Sequence, residues 1–181
     1  MSKKSLVSLL LVLVIATSCL SSEVTALHSI AGGCAYLGGS ENDEAYSIAR
    51  TSDLGFIIAG YTNSSGEGGA DFWLLKYGPT TMKDTLNRTI TYAGYYWNKT
   101  YGGPEDEFAK CVIQALDGGF ALAGYTNSSV SGLDVWLVKT NSTGIMEWNI
   151  AYGGIQDEVA NSLIQTKDGA YLLAGCVVSG G

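Results

Sequence analysis

Apolar and polar positions along the chain recur in short blocks, and the blocks recur as a unit. Phe120–Ala121–Leu122–Ala123–Gly124–Tyr125 is a continuous apolar run, and Val135–Trp136–Leu137–Val138 is another. Runs of this length without a polar face predict strands that are covered on both sides. Between them lie turn signals. Asp117–Gly118–Gly119 suits a tight hairpin, because Asp-Gly supplies positive φ angles at little cost. Asn141–Ser142–Thr143–Gly144 turns the chain again. With residues 108–114 ahead and 146–151 behind, one unit reads as four antiparallel strands.

The unit repeats. Tyr101–Gly102–Gly103, followed by Glu105, Asp106 and Glu107, is echoed by Tyr152–Gly153–Gly154, followed by Gln156, Asp157 and Glu158. Leu37–Gly38–Gly39, followed by Glu41, Asn42 and Asp43, fills the same place. The Gly-Gly pairs are separated by 64 and then 51 residues. Asp53–Leu54–Gly55–Phe56 and Asp168–Gly169–Ala170–Tyr171 repeat the turn, and Ala59–Gly60–Tyr61–Thr62–Asn63–Ser64–Ser65 matches the stretch that starts at Ala123. A period near 50 with several short strands per unit is the signature of a propeller, whose blades must stack to bury their faces. A β-sandwich would show one polar face per strand, and a β-solenoid would use shorter repeats. The expected fold is all-β: a partial β-propeller of about three four-stranded antiparallel blades, in units 35–97, 98–148 and 149–181, the last incomplete.

Three local expectations follow. The Ala-Gly pairs should let neighbouring sheets approach closely. Trp136 and Trp148 should be largely buried. Trp73 and Trp97 are 24 residues apart where Trp136 and Trp148 are 12 apart, so the first unit carries an insertion over 80–91 that reads as a long polar loop.

Residues 1–26 stand outside this pattern. Lys3 and Lys4 precede an apolar run from Leu6 to Ala16, too short to span a bilayer and suited to a secretory signal peptide, with small residues before residue 27. Ala16–Thr17–Ser18–Cys19 offers an alternative, a lipoprotein-type site that would anchor the chain to a membrane through a lipid on Cys19. Both readings place the protein outside the cell, secreted or at the surface. The net charge is −7, which argues against nucleic acid and anionic membranes as partners.

Candidate chemistry is sparse. The one histidine, His28, lies near the expected cleavage point, so no Ser-His-Asp or Cys-His set is available and no zinc site is expected. Cys111 and Cys176 read as two small thiols, a disulfide between them being the alternative. Gly66–Glu67–Gly68–Gly69 lies between strands rather than before a helix, which excludes a phosphate loop. The recurring acids read as turn or cap residues. The alternative is calcium, with Asp43, Asp106 and Asp157 as ligands. No catalytic or cofactor-binding residue is expected. Five Asn-x-Ser/Thr sequences, at Asn63, Asn87, Asn98, Asn127 and Asn141, are candidate N-glycosylation sites of an exported glycoprotein. Tyr61 and Tyr125 recur at one position, where packing between blades competes with stacking on a sugar.

Thr143–Gly144, three residues and Trp148 resemble the Thr-Gly-x-x-x-Trp blade motif of quinoprotein-type propellers. The chain from about residue 35 to 181 is still more similar to the 50-residue β-propeller repeats of exported archaeal and bacterial surface proteins. Trp97–Asn98–Lys99–Thr100–Tyr101–Gly102–Gly103 matches their opening and Gln165–Thr166–Lys167–Asp168–Gly169 their turn. The resemblance implies a propeller fold and a place at the cell surface. The quinone cofactor does not carry over, because the motif occurs once. The functional expectation is a non-enzymatic surface module for adhesion or binding of a ligand, carbohydrate or protein, within a longer protein. The alternative is part of a propeller enzyme, a hydrolase or quinoprotein-like oxidoreductase, with its active site in other blades. Residues 27–181 alone are expected to self-associate.

Overall fold

The computed structural model describes residues 37–127 and 132–178. The leader, Cys19 and His28 lie outside these residues, as does the lipid-anchor expectation. The described chain is all-β and forms ten strands. Strands β1 (Asp43–Arg50), β2 (Phe56–Thr62), β3 (Asp71–Lys83) and β4 (Thr89–Tyr101) make one antiparallel meander. Strands β5 (Glu107–Gln114), β6 (Phe120–Thr126), β7 (Asp134–Thr140) and β8 (Met146–Tyr152) make a second. Strands β9 (Asp157–Gln165) and β10 (Tyr171–Val178) make a two-stranded third.

The apolar runs explain how the sheets pack. Ile57, Ala59, Phe72 and Leu74 of the first sheet bury against Val112, Phe120, Leu122 and Val138 of the second. Ala121, Ala123 and Leu137, on the opposite face of the second sheet, bury against Ala160 and Leu163 of the third, with Tyr171 and Leu173 beside them. Neighbours along β6 therefore serve two different interfaces. A strand used this way has no position for a polar side chain, which is why its sequence is unbroken.

Where the second interface runs out of partners, exposure follows. Trp136 is half-buried and packs at a tilt on Phe72 across the first interface, ring centres 4.6 Å apart. Trp148, expected to be buried, is 37% exposed. It touches Tyr171 at 5.7 Å as Trp97 touches Phe120 at 5.9 Å. Trp97 is also covered by the turn at Gly144, whereas among the described residues the third sheet has two strands and brings no corresponding turn over Trp148. The insertion is likewise not a loop. Residues 80–91 extend β3 and β4 as a continued ladder that ends in a turn at 84–88. Asp84 closes this turn, accepting the Leu86 and Arg88 N–H groups and pairing with the Arg88 guanidinium at 2.7 Å.

The Ala-Gly pairs divide the expected role: Ala59 and Ala123 are buried in the clusters between sheets, whereas the glycines serve a contact within one sheet. β1, β5 and β9 each carry a bulge opposite the glycine of the paired strand, at 45/47, 109/111 and 160/162. A Cβ on Gly60, Gly124 or Gly175 would collide with the carbonyl oxygen of Glu44, Phe108 or Val159. The glycine admits a backbone within its own sheet rather than a neighbouring sheet.

Each complete sheet also buries one lysine. Lys76 reaches Asp53 at 2.8 Å and Lys139 reaches Asp117 at 2.7 Å, so a cation from the third strand clamps the first hairpin turn. In the hairpin turns of the second and third sheets Gly118 and Gly169 have φ of 84° and 94° as expected. Leu54 holds the same position at φ 66°.

Two outcomes test this account. A left-handed conformation costs an ordinary residue about 1 kcal/mol or more, and the Leu54 side chain is exposed. Leu54→Gly should therefore raise the unfolding free energy by about 1 kcal/mol in urea titrations. Gly124→Ala should lower it by about 1–3 kcal/mol, the usual range for an overpacked site.

Candidate functional site

The boundaries between sheets are built from the same parts, and comparing them locates the site. At the first boundary the β5 bulge turns Lys110 outward, its Nζ 3.6 Å from the ring centre of Tyr46, the residue at the β1 bulge. Tyr46 stacks on Tyr61 at 6.0 Å, Tyr61 meets Phe108 at 4.6 Å and Phe108 stacks on Tyr125 at 5.1 Å. Burial and the Glu44 carboxylate push the Tyr46 hydroxyl pKa upward, and burial pulls Lys110 downward. Tyr61 and Tyr125, the pair considered for stacking on a ligand, are here packing elements between strands and sheets. The Tyr101 hydroxyl, buried, donates to the Gly144 carbonyl at 2.7 Å and ties the first sheet to the second.

At the second boundary the equivalent positions are small. Val135 stands where Phe72 does, Val159 where Phe108 does and Cys176 where Tyr125 does. Between them lies an open groove of about 270 Å³, lined by these three residues with Leu173, Val177 and Glu158. Three rings have become three small side chains, and the space that they would fill is accessible. Cys176 is a free, exposed thiol at this groove. Cys111 is a free, buried thiol whose pKa burial raises to about 11, so it is held as the neutral thiol. Neither cysteine forms the disulfide that was the alternative.

The recurring acids have two separate tasks. Asp106 accepts the Ala70 N–H at 2.8 Å, and Asp157 accepts the Leu133 N–H at 2.8 Å. The next residue in each case, Glu107 or Glu158, donates its own N–H back to the Ala70 or Leu133 carbonyl. Each pair of bonds fastens the start of one sheet to the third strand of the sheet before it. Asp43 is not equivalent to Asp106 and Asp157. It stands in register with Glu107 and Glu158, and accepts from Thr62, from Ser64 and from the Gly39 N–H. Asp43, Asp106 and Asp157, the alternative calcium ligands, sit one in each repeat unit, and Asp43 has a different task from the other two. Among the described residues no three His, Cys, Asp or Glu side chains gather as a metal set.

Asn63, Asn87, Asn98 and Asn127 are exposed. Asn141 is half-buried, and its side-chain oxygen accepts from the Thr143 N–H, the Thr143 hydroxyl and the Ile145 N–H, which fixes the turn of the second sheet. No protein-family model matches the chain, and no curated protein matches it.

The groove residues carried a signal in the sequence. Aligning the units places Cys176 under Tyr125, but a missing ring reads as a hole only once the neighbours of that ring are known. Refilling the groove tests the comparison. Val159→Phe combined with Cys176→Tyr should raise stability by about 1–2 kcal/mol, in line with the apolar area that the rings would bury. Unchanged or lower stability in thermal unfolding would show that the two boundaries are not interchangeable.

Proposed function

We propose that the chain is an exported, non-enzymatic surface module of the β-propeller repeat type, its sheets being blades, and that it binds a ligand or serves in adhesion. The observation that carries this reading is the groove between the second and third sheets. Elsewhere the repeat serves its own packing, and the groove is where large packing residues have been replaced by small ones. Ligand sites are concave and mostly apolar with a few polar groups at their edge, and here Glu158 supplies such a group beside Val135, Val159 and Leu173. The propeller reading rests on the repeat period, the four-stranded meanders and the face-to-face stacking of successive sheets. Export rests on the leader over 1–26, and the candidate glycans on the exposed asparagines.

Binding to arrays of glycans and of extracellular proteins tests the proposal, with the groove-filled variant as the comparison. The wild type should retain a ligand that the Val159→Phe, Cys176→Tyr variant loses, although the variant is at least as stable. Equal binding by both would place the ligand elsewhere. Turnover of a hydrolase or dehydrogenase substrate by the purified chain would overturn the non-enzymatic reading.

A further inference from the structure

Among the described residues each sheet has two edge strands, and all but one of these edges are interrupted in the same way. β1, β4, β5, β8 and β9 each carry one extra residue against the strand beside them, at Tyr46, Tyr96, Lys110, Glu147 and Asn161. A bulge of this kind twists an edge and breaks its ladder, which blunts it as a template for another chain. The inner strands β2, β3, β6 and β7 carry none. The remaining edge is β10, paired with β9 alone, and it is built like an inner strand. Tyr171–Val178 has no extra residue, no charge and no proline.

The complete sheets show what a strand in this position receives. β2 pairs with β3 so that Gly60 stands opposite Trp73 and Ile57 opposite Lys76. β6 pairs with β7 so that Gly124 stands opposite Trp136 and Ala121 opposite Lys139. Both third strands thus bring an aromatic residue to the glycine and, after two aliphatic residues, a lysine. Gly175 and Leu172 hold the same two positions in β10. The places to which those side chains go are open there. Trp136 packs on Phe72 of the preceding sheet. The corresponding residues at the second boundary are Gly175 and Val135, and both line the groove of about 270 Å³. Lys76 and Lys139 pair with Asp53 and Asp117 of the hairpin turns. The corresponding Asp168 is exposed and accepts from the Thr166 hydroxyl, with no cation acting on it.

We propose that β10 docks an extended segment of a partner polypeptide as an antiparallel third strand, with an aromatic side chain opposite Gly175 lying in the groove and a lysine three residues later paired with Asp168. Main-chain hydrogen bonds to the open edge supply affinity, and the two side chains fix the register. This occupant rests on the reading of the groove as a ligand site and narrows the ligand to a polypeptide strand. It also continues the interface between the second and third sheets, since Val135 and Leu173 already pack there. A second copy of the chain offers no such segment. Its own two, Trp73–Lys76 and Trp136–Lys139, lie in β3 and β7, which are paired on both sides.

A labelled peptide that copies Asp134–Thr140 on a soluble tail, titrated with the purified full chain and followed by fluorescence anisotropy, tests the proposal. Binding should saturate. Replacing the peptide's tryptophan by alanine should weaken it by about tenfold or more, as for an anchor residue in a pocket. Asp168→Asn should weaken the original peptide by about two- to fivefold, the range of an exposed ion pair, and should leave a peptide with alanine in place of lysine unaffected. Register is read by disulfide trapping in a glutathione buffer. Tyr125 stands opposite Val135, so a peptide with cysteine just before its tryptophan should couple to Cys176. A peptide with cysteine just after the tryptophan should not. A lack of saturable binding would overturn the proposal, as would equal binding by the alanine peptide or trapping that ignores the position of the cysteine. If the arrays yield a ligand that the groove-filled variant loses while no strand peptide binds, docking of a strand is refuted and the groove keeps its role as a ligand site.

Discussion

The structure depends on one constraint: its central strands are apolar on both faces, so every sheet must be covered twice. β6 shows the consequence. Phe120 and Leu122 point into one interface while Ala121 and Ala123 point into the other. A sheet of this kind is unstable alone and satisfied only between neighbours. The small residues on one face of β6 and the large ones on its other face make the fit directional, since the Ala face of one sheet receives the large face of the next. That directionality lets a single unit be copied without redesign, because each copy presents what its neighbour needs.

Covering apolar faces does not by itself align two sheets, since dispersion and the hydrophobic effect have little directionality. The polar groups supply alignment. Asp106 and Asp157 accept a backbone N–H from the preceding sheet, and the following residue donates its own N–H to the carbonyl of that same backbone residue. Tyr101 reaches across to the Gly144 carbonyl. Lys76 and Lys139 act within a sheet, holding the third strand to the first hairpin turn. Buried charge in this acidic chain is thus tied either to hairpin turns, as at Lys76 and Lys139, or to the seams where sheets meet.

Much of this architecture was legible in the sequence. The unbroken apolar runs marked doubly covered strands, the Asp-Gly turns marked hairpins, and the period marked the copies. What was not legible depended on partners in space. The sequence contains Trp148 in the same context as Trp97, but its burial requires a turn from the following sheet. Residues 80–91 are polar enough to pass for a loop, yet polar residues suit a hairpin that projects into solvent with no apolar face to cover. Gly124 read as a spacer between sheets because a bulge leaves no mark in the sequence of its own strand; the mark is the glycine on the strand opposite.

The contrast between the two boundaries bears on where function can reside in a repeat. A position used by every copy is constrained by packing against the next copy, and changing it in one unit exposes or overfills an interface. Phe108 and Tyr125 are positions of this kind, since their rings fill the first boundary. At the second boundary Val159 and Cys176 leave that volume open, yet the deeper contacts of Ala160 and Leu163 with Ala121, Ala123 and Leu137 are kept. The change thus leaves these contacts in place, and its cost is limited to the area that the rings would have buried. An interface that keeps its inner alanine and leucine contacts while opening beside them can accept a ligand without loosening the stack.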